Sequence, residues 1–267
     1  MKLRFLGTGT STGVPMIGCD CPVCTSADPR DRRRRSCLYV QTETTAFVID
    51  TPPDFREQMI DANIRRLDAV VITHAHADHL LGFDDIRRFN TLQGGEVIPA
   101  YADSITMAHI TRIFNYIGQK PDPTGLFRPM IDFRSVDAPF EIGDVRLTPL
   151  DVEHGRNVKM TGYILEHAGR RVGYIPDCHT LPPATRTALQ NPALDLMVLD
   201  GASVNRPLPS HLLVQDAVPL LMKIGAKRSL LTHICHHATH ERLLQLVSEL
   251  GAAETVSVAY DGLAVEV

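Results

Sequence analysis

The run Thr73-His74-Ala75-His76-Ala77-Asp78-His79 follows directly on Ala69-Val70-Val71-Ile72, and this junction limits the chain more than any other feature. The apolar, β-branched run reads as a buried strand. Leaving it, the chain offers His74, His76, Asp78 and His79, four side chains able to ligate a metal within six residues. Imidazole and carboxylate together suit zinc, manganese, iron or nickel. On a turn leaving a strand, residues two apart share a side, which assigns His74 and His76 to one ion and turns Asp78 and His79 towards a second. A polar loop ahead of a helix would explain Asp78 through the helix dipole. It gives no reason for three histidines.

The rest of the chain can support such a site. Hydrophobic residues make up 44% of its 267 residues and charged ones 22%, enough for a sizeable core and unlike a disordered chain. A net charge of −4 gives no general attraction to nucleic acid or to an anionic membrane. Met1–Gly7 is too short an apolar run for a signal peptide, and no stretch approaches the roughly 18–20 apolar residues of a membrane span. A cytoplasmic protein is expected, in which the six cysteines are thiols or metal ligands rather than disulfides.

Strands are expected at Lys2–Leu6, Ser36–Gln41, Ala46–Asp50, Ala69–Thr73, Arg146–Leu150, Gly162–Glu166, Arg171–Ile175, Leu196–Asp200, Ser229–Thr232, Val256–Ala259 and Leu263–Val267. Helices are expected at Phe55–Ala62, His79–Thr91, Ser104–Gly118, Pro182–Gln190, Leu212–Ile224 and Thr239–Leu250, with Ser104 as an N-cap and Ser210 as a start signal. Strands in succession at each end fit a doubly wound sheet poorly. Two central sheets with helices outside, in one domain over 1–267, fit better.

The motif Thr73–His79 resembles the hallmark of the metallo-β-lactamase superfamily. The resemblance implies an α/β fold, an αβ/βα four-layer sandwich of two mixed sheets with metals at one sheet edge. It also implies a later histidine, a bridging aspartate and a last histidine, each at a strand end. Asp151-Val152-Glu153-His154, Tyr174-Ile175-Pro176-Asp177 and Leu231-Thr232-His233 supply them in order. One ion is then expected on His74, His76, His154 and Asp177, and the other on Asp78, His79, His233 and Asp177. Homodimers are common in the superfamily, so a homodimer is a partner to test for.

Cys19, Cys21 and Cys24 place three thiols within six residues, most of a tetrahedral zinc site whose fourth ligand must come from elsewhere. This loop and the preceding Leu6-Gly7-Thr8-Gly9-Thr10-Ser11-Thr12-Gly13 resemble the branch containing the phosphoribosyl cyclic phosphate phosphodiesterase of the carbon–phosphorus lyase pathway. That resemblance implies a structural zinc completed by a histidine three residues after the last active-site histidine, here His236. Cys235, His237 and Cys37 are rivals for the position. It also implies a histidine that serves the leaving oxygen, here His211. His211 and Asp78 are therefore the expected catalytic residues.

The expected function is hydrolysis of a small or cyclic phosphate ester by a water activated between two divalent ions, manganese or zinc, with iron or nickel also compatible. A tRNA 3′-processing endonuclease shares these ligands but uses a basic arm, and Gly94–Arg128 offers only Arg112, Lys120 and Arg128. A thioesterase of the glyoxalase II kind shares them too but lacks the cysteine loop. A two-metal β-lactamase lacks the bridging aspartate. Asp50, Asp151 and Thr232 are expected to orient the metal loop, His154 and His233 respectively. Arg32–Arg35 form a basic run with two readings, a phosphate grip or a solvated lead-in to a strand. His179 has no settled reading, and His109, His167, His237 and His240 have no assigned role.

Overall fold

The central strands are apolar on both faces, so each sheet must be covered twice. All residues of Ala46–Ile49 and of Leu196–Asp200 are buried. A computed structural model of the chain describes residues 1–155, 158–204 and 206–267. The N-terminal part comprises β1 (Lys2–Gly7), β2 (Cys37–Gln41), β3 (Ala46–Ile49), α1 (Phe55–Asp61), β4 (Ala69–Val71), α2 (Ala77–Leu80), α3 (Arg87–Leu92), β5 (Ile98–Ala102), α4 (Ser104–Ile113) and β6 (Ile131–Ser135). The remainder comprises β7 (Phe140–Ile142), β8 (Val145–Glu153), β9 (Lys159–His167), β10 (Arg170–Ile175), α5 (Pro183–Gln190), β11 (Leu196–Asp200), α6 (Val214–Ile224), β12 (Arg228–Thr232), α7 (His240–Glu249), β13 (Val256–Val258) and β14 (Ala264–Glu266).

Two seven-stranded mixed sheets result, ordered β14-β1-β2-β3-β4-β5-β6 and β13-β12-β11-β10-β9-β8-β7. Each sheet passes from antiparallel pairs to parallel ones, the change falling at β3 in the first and β10 in the second. Parallel neighbours need crossovers, and helices supply them: α1 links β3 to β4, and α5, α6 and α7 link β10 through β13. Strand periodicity then sorts the core. Phe47 and Ile49 of β3 pack with Leu196 and Val198 of β11 between the sheets. Ala46 and Val48 face α1, and Met197 and Leu199 face α6. This is an αβ/βα sandwich of four layers. Among the described residues no helix is long and apolar enough to cross a membrane.

Several local expectations need correction. The stretch Gly94–Arg128, considered above only for its basic residues, contains β5, which no expected strand covers, as well as α4. β5 escapes a reading of the sequence because Pro99 and two alanines stand in a strand that is paired on both sides. β6 and β7 escape because polar residues alternate in them or they are very short. The helix expected over His79–Thr91 is broken at Gly82 into α2, a 3₁₀ turn and α3. A Cβ at Gly82 would collide with the Pro52 carbonyl, so glycine is what lets this segment pass. α4 is capped by Asp103 rather than Ser104, its carboxylate accepting from the amides of Ile105 and Thr106, and it ends at Ile113. Ser210 does not cap α6, which starts after Leu213 without a side-chain cap among the described residues.

Candidate metal centre

The polar residues named above gather where the parallel strands end. Asp50 follows β3, His74 lies just past β4, Asp177 just past β10, Asp200 ends β11 and His233 follows β12. Asp50 and His233 both have left-handed backbones, φ 69° and 58°. For non-glycine residues this costs on the order of 1–3 kcal/mol and persists where the surroundings over-determine it. Here both residues turn the chain sharply off a strand end into the cluster.

Two groups of ligand atoms share one carboxylate. In the first, His74 Nε2 lies 2.9 Å from His76 Nδ1, and His154 Nε2 lies 3.3 Å from the same atom. Asp177 Oδ2 is 3.7 Å from His74 Nε2 and 3.4 Å from His154 Nε2. In the second, His79 Nε2 is 3.3 Å from Asp78 Oδ2 and 3.3 Å from Asp177 Oδ1, which in turn lies 3.1 Å from His233 Nδ1. Four ligands at zinc–nitrogen distance around one ion stand about 3.3 Å apart. The donor set therefore has the spacing of a ligand shell. His79 Nε2 and Asp177 Oδ1 are buried and make no hydrogen bond among the described residues, a costly state that a cation between them removes.

Neighbours fix the rings. Asp50, fully buried, accepts from Thr73 N at 2.8 Å and from Thr73 Oγ1, and lies 2.8 Å from His79 Nδ1. This is a carboxylate–histidine pairing behind a ligand nitrogen. His154 Nδ1 donates to the Ser210 carbonyl at 2.8 Å. Ser36 Oγ stands 3.1 Å from His233 Nδ1, the nitrogen that faces Asp177, and so lies beside the ligand atom and not behind the ring. The expected partners Asp151 and Thr232 do not fix these rings. Asp151 is exposed and pairs with Lys159, because alternation along β8 turns it away from His154. Thr232 closes β12 with its side chain buried, and no hydrogen bond joins it to His233 among the described residues.

Electrostatics agree with a demand for positive charge. Burial opposes protonation of His79, yet Asp177, Asp50 and Asp78 together raise it well above the ordinary histidine range. Burial would raise Asp177, but His233, His79 and His74 hold it well below the ordinary carboxylate range. His74 is pushed well down and His233 down to about 3, mainly by burial, which leaves neutral imidazoles suited to ligation.

A second cluster joins the N-terminal loop to the segment after β12. Sγ of Cys19, Cys21 and Cys24 lie 3.3, 3.5 and 3.6 Å from His236 Nδ1. Sulfur and nitrogen bound to one tetrahedral zinc stand about 3.6 Å apart. The rival positions are occupied otherwise. Cys37 is buried with Sγ near the Asp50 carbonyl, Cys235 is buried beside Ala202, and His237 Nδ1 pairs with Ser203 Oγ at 2.7 Å.

His211 borders the second group, its ring stacked on His233 with centroids 4.8 Å apart. Its Nδ1 is 2.8 Å from Asp200 Oδ2. Asp200 is a site residue that the sequence reading passed over. Its signal is position: like Asp177 it closes an apolar parallel strand. Burial pushes Asp200 up to about 6, and the bond to Asp200 raises His211 against its own burial. The basic run splits up. Arg33 is buried beside Thr8 and His240, Arg34 pairs with Asp61 and Arg35 with Asp54. His179 and His109 are exposed, and His167 lies beside Asp144.

A family model described as a beta-lactamase superfamily domain matches residues 45–234, and the chain belongs to that superfamily. Over its whole length the chain is similar to a crystal structure described as a new diphosphatase from the PhnP family. The match has 35% identity and a TM-score of 0.86, covering 100% of this chain and 97% of that one. The zinc-bound PqqB of Methylobacterium extorquens has the same fold at 19% identity and TM-score 0.78, covering 100% of each chain. An octanoyltransferase of Porphyromonas gingivalis is 32% identical over 98% of this chain, which spans 51% of that relative's length.

Proposed function

We propose that the chain is a dinuclear metal-dependent hydrolase that cleaves a small or cyclic phosphate ester, with a separate structural zinc on Cys19, Cys21, Cys24 and His236. The observation that carries the reading is the Asp177 carboxylate, with Oδ2 3.4 Å from His154 Nε2 and Oδ1 3.3 Å from His79 Nε2. His74, His76 and His154 would hold one divalent ion, Asp78, His79 and His233 the other. When bound, such a pair lowers the pKa of a water and neutralises charge on a phosphoryl oxygen. The similarity to a PhnP-family diphosphatase supports attack at phosphorus.

The chain's own residues complete the reaction. His211 Nδ1 is tied to Asp200, which leaves Nε2 to carry a proton. The water oxygen bonds to phosphorus and gives up a proton to solvent; as the bond to the leaving oxygen breaks, His211 Nε2 gives its proton to that oxygen and is reprotonated from solvent. The products are a phosphate monoester and an alcohol, a single ring-opened molecule if the ester is cyclic. Asp78, its side chain 12% exposed, is the ligand nearest to solvent in its pair with His79.

The test combines elemental analysis of the purified protein with turnover of bis(p-nitrophenyl) phosphate in added manganese. About three metals per chain and diester cleavage lost in Asp78→Ala are expected. Three metals with cleavage of S-lactoylglutathione but no diester would replace the reading by a thioesterase.

A further inference from the structure

The arginines ahead of Ser36 take no part in the metal centre, and part of this run lines a cavity of about 480 Å³. Arg32, Arg33 and Arg34 meet Arg4 of β1 there, together with two carboxylates, Asp61 and Asp261. None of the residues grouped as metal ligands lines it.

The charges in this cavity do not cancel locally. Arg33 is 3% exposed, and its guanidinium donates to Thr8 Oγ1 at 2.9 Å, the Ala259 carbonyl at 2.6 Å and His240 Nδ1 at 3.1 Å. All three acceptors are neutral, and among the described residues Arg33 forms no ion pair. A guanidinium buried without a direct ion pair is costly to keep: Asp261, Asp31 and Asp28 favour its charge from a distance, yet burial outweighs them. Among the described residues Arg4 Nη1 donates only to the Ala62 carbonyl, at 2.7 Å, and the exposed Arg32 has no ion pair. Asp61 is already paired with Arg34. Asp261 is occupied by the Thr8 hydroxyl at 2.8 Å and the Arg34 amide at 2.6 Å, and burial works against its charge. The result is a positive recess on a chain whose net charge is −4.

We propose that this recess is a second binding site, separate from the metal centre, for a phosphate monoester of small-metabolite size. Arg4 and Arg32 grip the phosphate, and Arg33, which has no direct ion pair among the described residues, adds its charge from behind. Planar guanidinium forks match phosphate oxygens in geometry as well as sign. Val14, Pro15 and Pro29 form an apolar wall for the body of the ligand. The volume falls in the range of about 300–1,000 Å³ typical of small-molecule sites.

The test is calorimetric titration of the metal-loaded protein with adenosine 5′-monophosphate, with adenosine as the uncharged control. Saturable binding of the monophosphate is expected, with adenosine far weaker. Binding should weaken by about tenfold or more in Arg4→Gln/Arg32→Gln, whose metal content and Tm stay as in the parent, and persist in Asp78→Ala. If the double variant fails to fold, Arg32→Gln alone, at an exposed side chain, should still weaken binding by about threefold. The proposal is overturned by absence of saturable binding, by equal binding of adenosine, or by full affinity in the arginine variants. Loss of binding in Asp78→Ala, with retention in the arginine variants, would put the ligand on the metal centre and overturn it equally.

Discussion

His211 Nδ1 stands 2.8 Å from Oδ2 of Asp200, a carboxylate with no exposure to solvent. Asp200 is itself fixed by the backbone amides of Cys178, at 2.8 Å, and Ala202, at 2.9 Å. The pair therefore sets both the tautomer and the direction of the imidazole. If His211 serves the leaving oxygen, His211→Ala lowers kcat by about 10²–10⁴ with metal content unchanged. Asp200→Asn keeps the ring's neighbours but removes the charge, and a smaller loss of about 10–100-fold is expected. Elemental analysis alongside turnover separates this from the other arrangement open to His211, which also groups with Asp177 and His233. Loss of a metal in His211→Ala would make it a ligand and end its role as proton donor.

Asp50 offers a test of the carboxylate behind the ligand ring. It has a left-handed φ of 69°, a conformation asparagine tolerates, so Asp50→Asn changes charge with little backbone penalty. The carboxamide can still accept from Thr73, but it no longer draws the His79 Nδ1 proton as an anion does. Affinity for the metal on the Asp78–His79 side should fall by about 10–100-fold, measured by competition with a chelator. Parent-like affinity would leave Asp50 a purely structural anchor for Thr73.

Much of this site can be read from the order of the residues alone. His74 to His79, Asp177 and His233 stand at the ends of apolar runs, and a strand end is a place the sequence marks clearly. What it does not mark is the partner that arrives from elsewhere. Ser36 reaches His233 because Gly7 lets the Arg35 carbonyl pass so close to β1 that any Cβ would collide. The Ser210 carbonyl behind His154 is backbone and leaves no residue-type signal. Asp151 is the natural guess from proximity in sequence, and the twofold period along β8 rules it out. The framework shows the same split. Strands with continuous β-branched runs are plain, whereas β5 is held in the first sheet by its neighbours in spite of Pro99.

The cysteine cluster is expected to act on stability and not on chemistry. It ties the loop from Cys19 to Cys24 to His236, three residues beyond His233. Cys21→Ser should lower bound zinc by about one per chain and lower Tm by several degrees, while diester turnover per remaining metal pair stays within about threefold. Unchanged zinc would remove the structural site. Loss of all metals would mean that the loop holds the active-site edge as well.

His240 should make folding sensitive to mild acid. It opens α7, is 3% exposed, and its Nδ1 accepts from Arg33 at 3.1 Å, which requires a neutral ring. Burial and the charges of Arg33 and Arg30 push it down to about 4, against the opposing pull of Asp28 and Asp31. In the unfolded chain the ring titrates near its ordinary value of 6.5. Between these values the unfolded chain binds a proton that the folded chain refuses, so stability is full above about pH 6.5 and falls as pH drops towards 4. At pH 5 the loss from this group is on the order of 2 kcal/mol. His240→Gln retains an acceptor for Arg33 and has nothing to titrate. Urea unfolding at pH 7 and pH 5 should therefore show a smaller acid loss in the variant than in the parent, by about that amount. The metal-site histidines titrate in both proteins and cancel in the comparison. Equal acid losses would mean that Arg33 tolerates a charged neighbour and that His240 is not what limits stability below neutral pH.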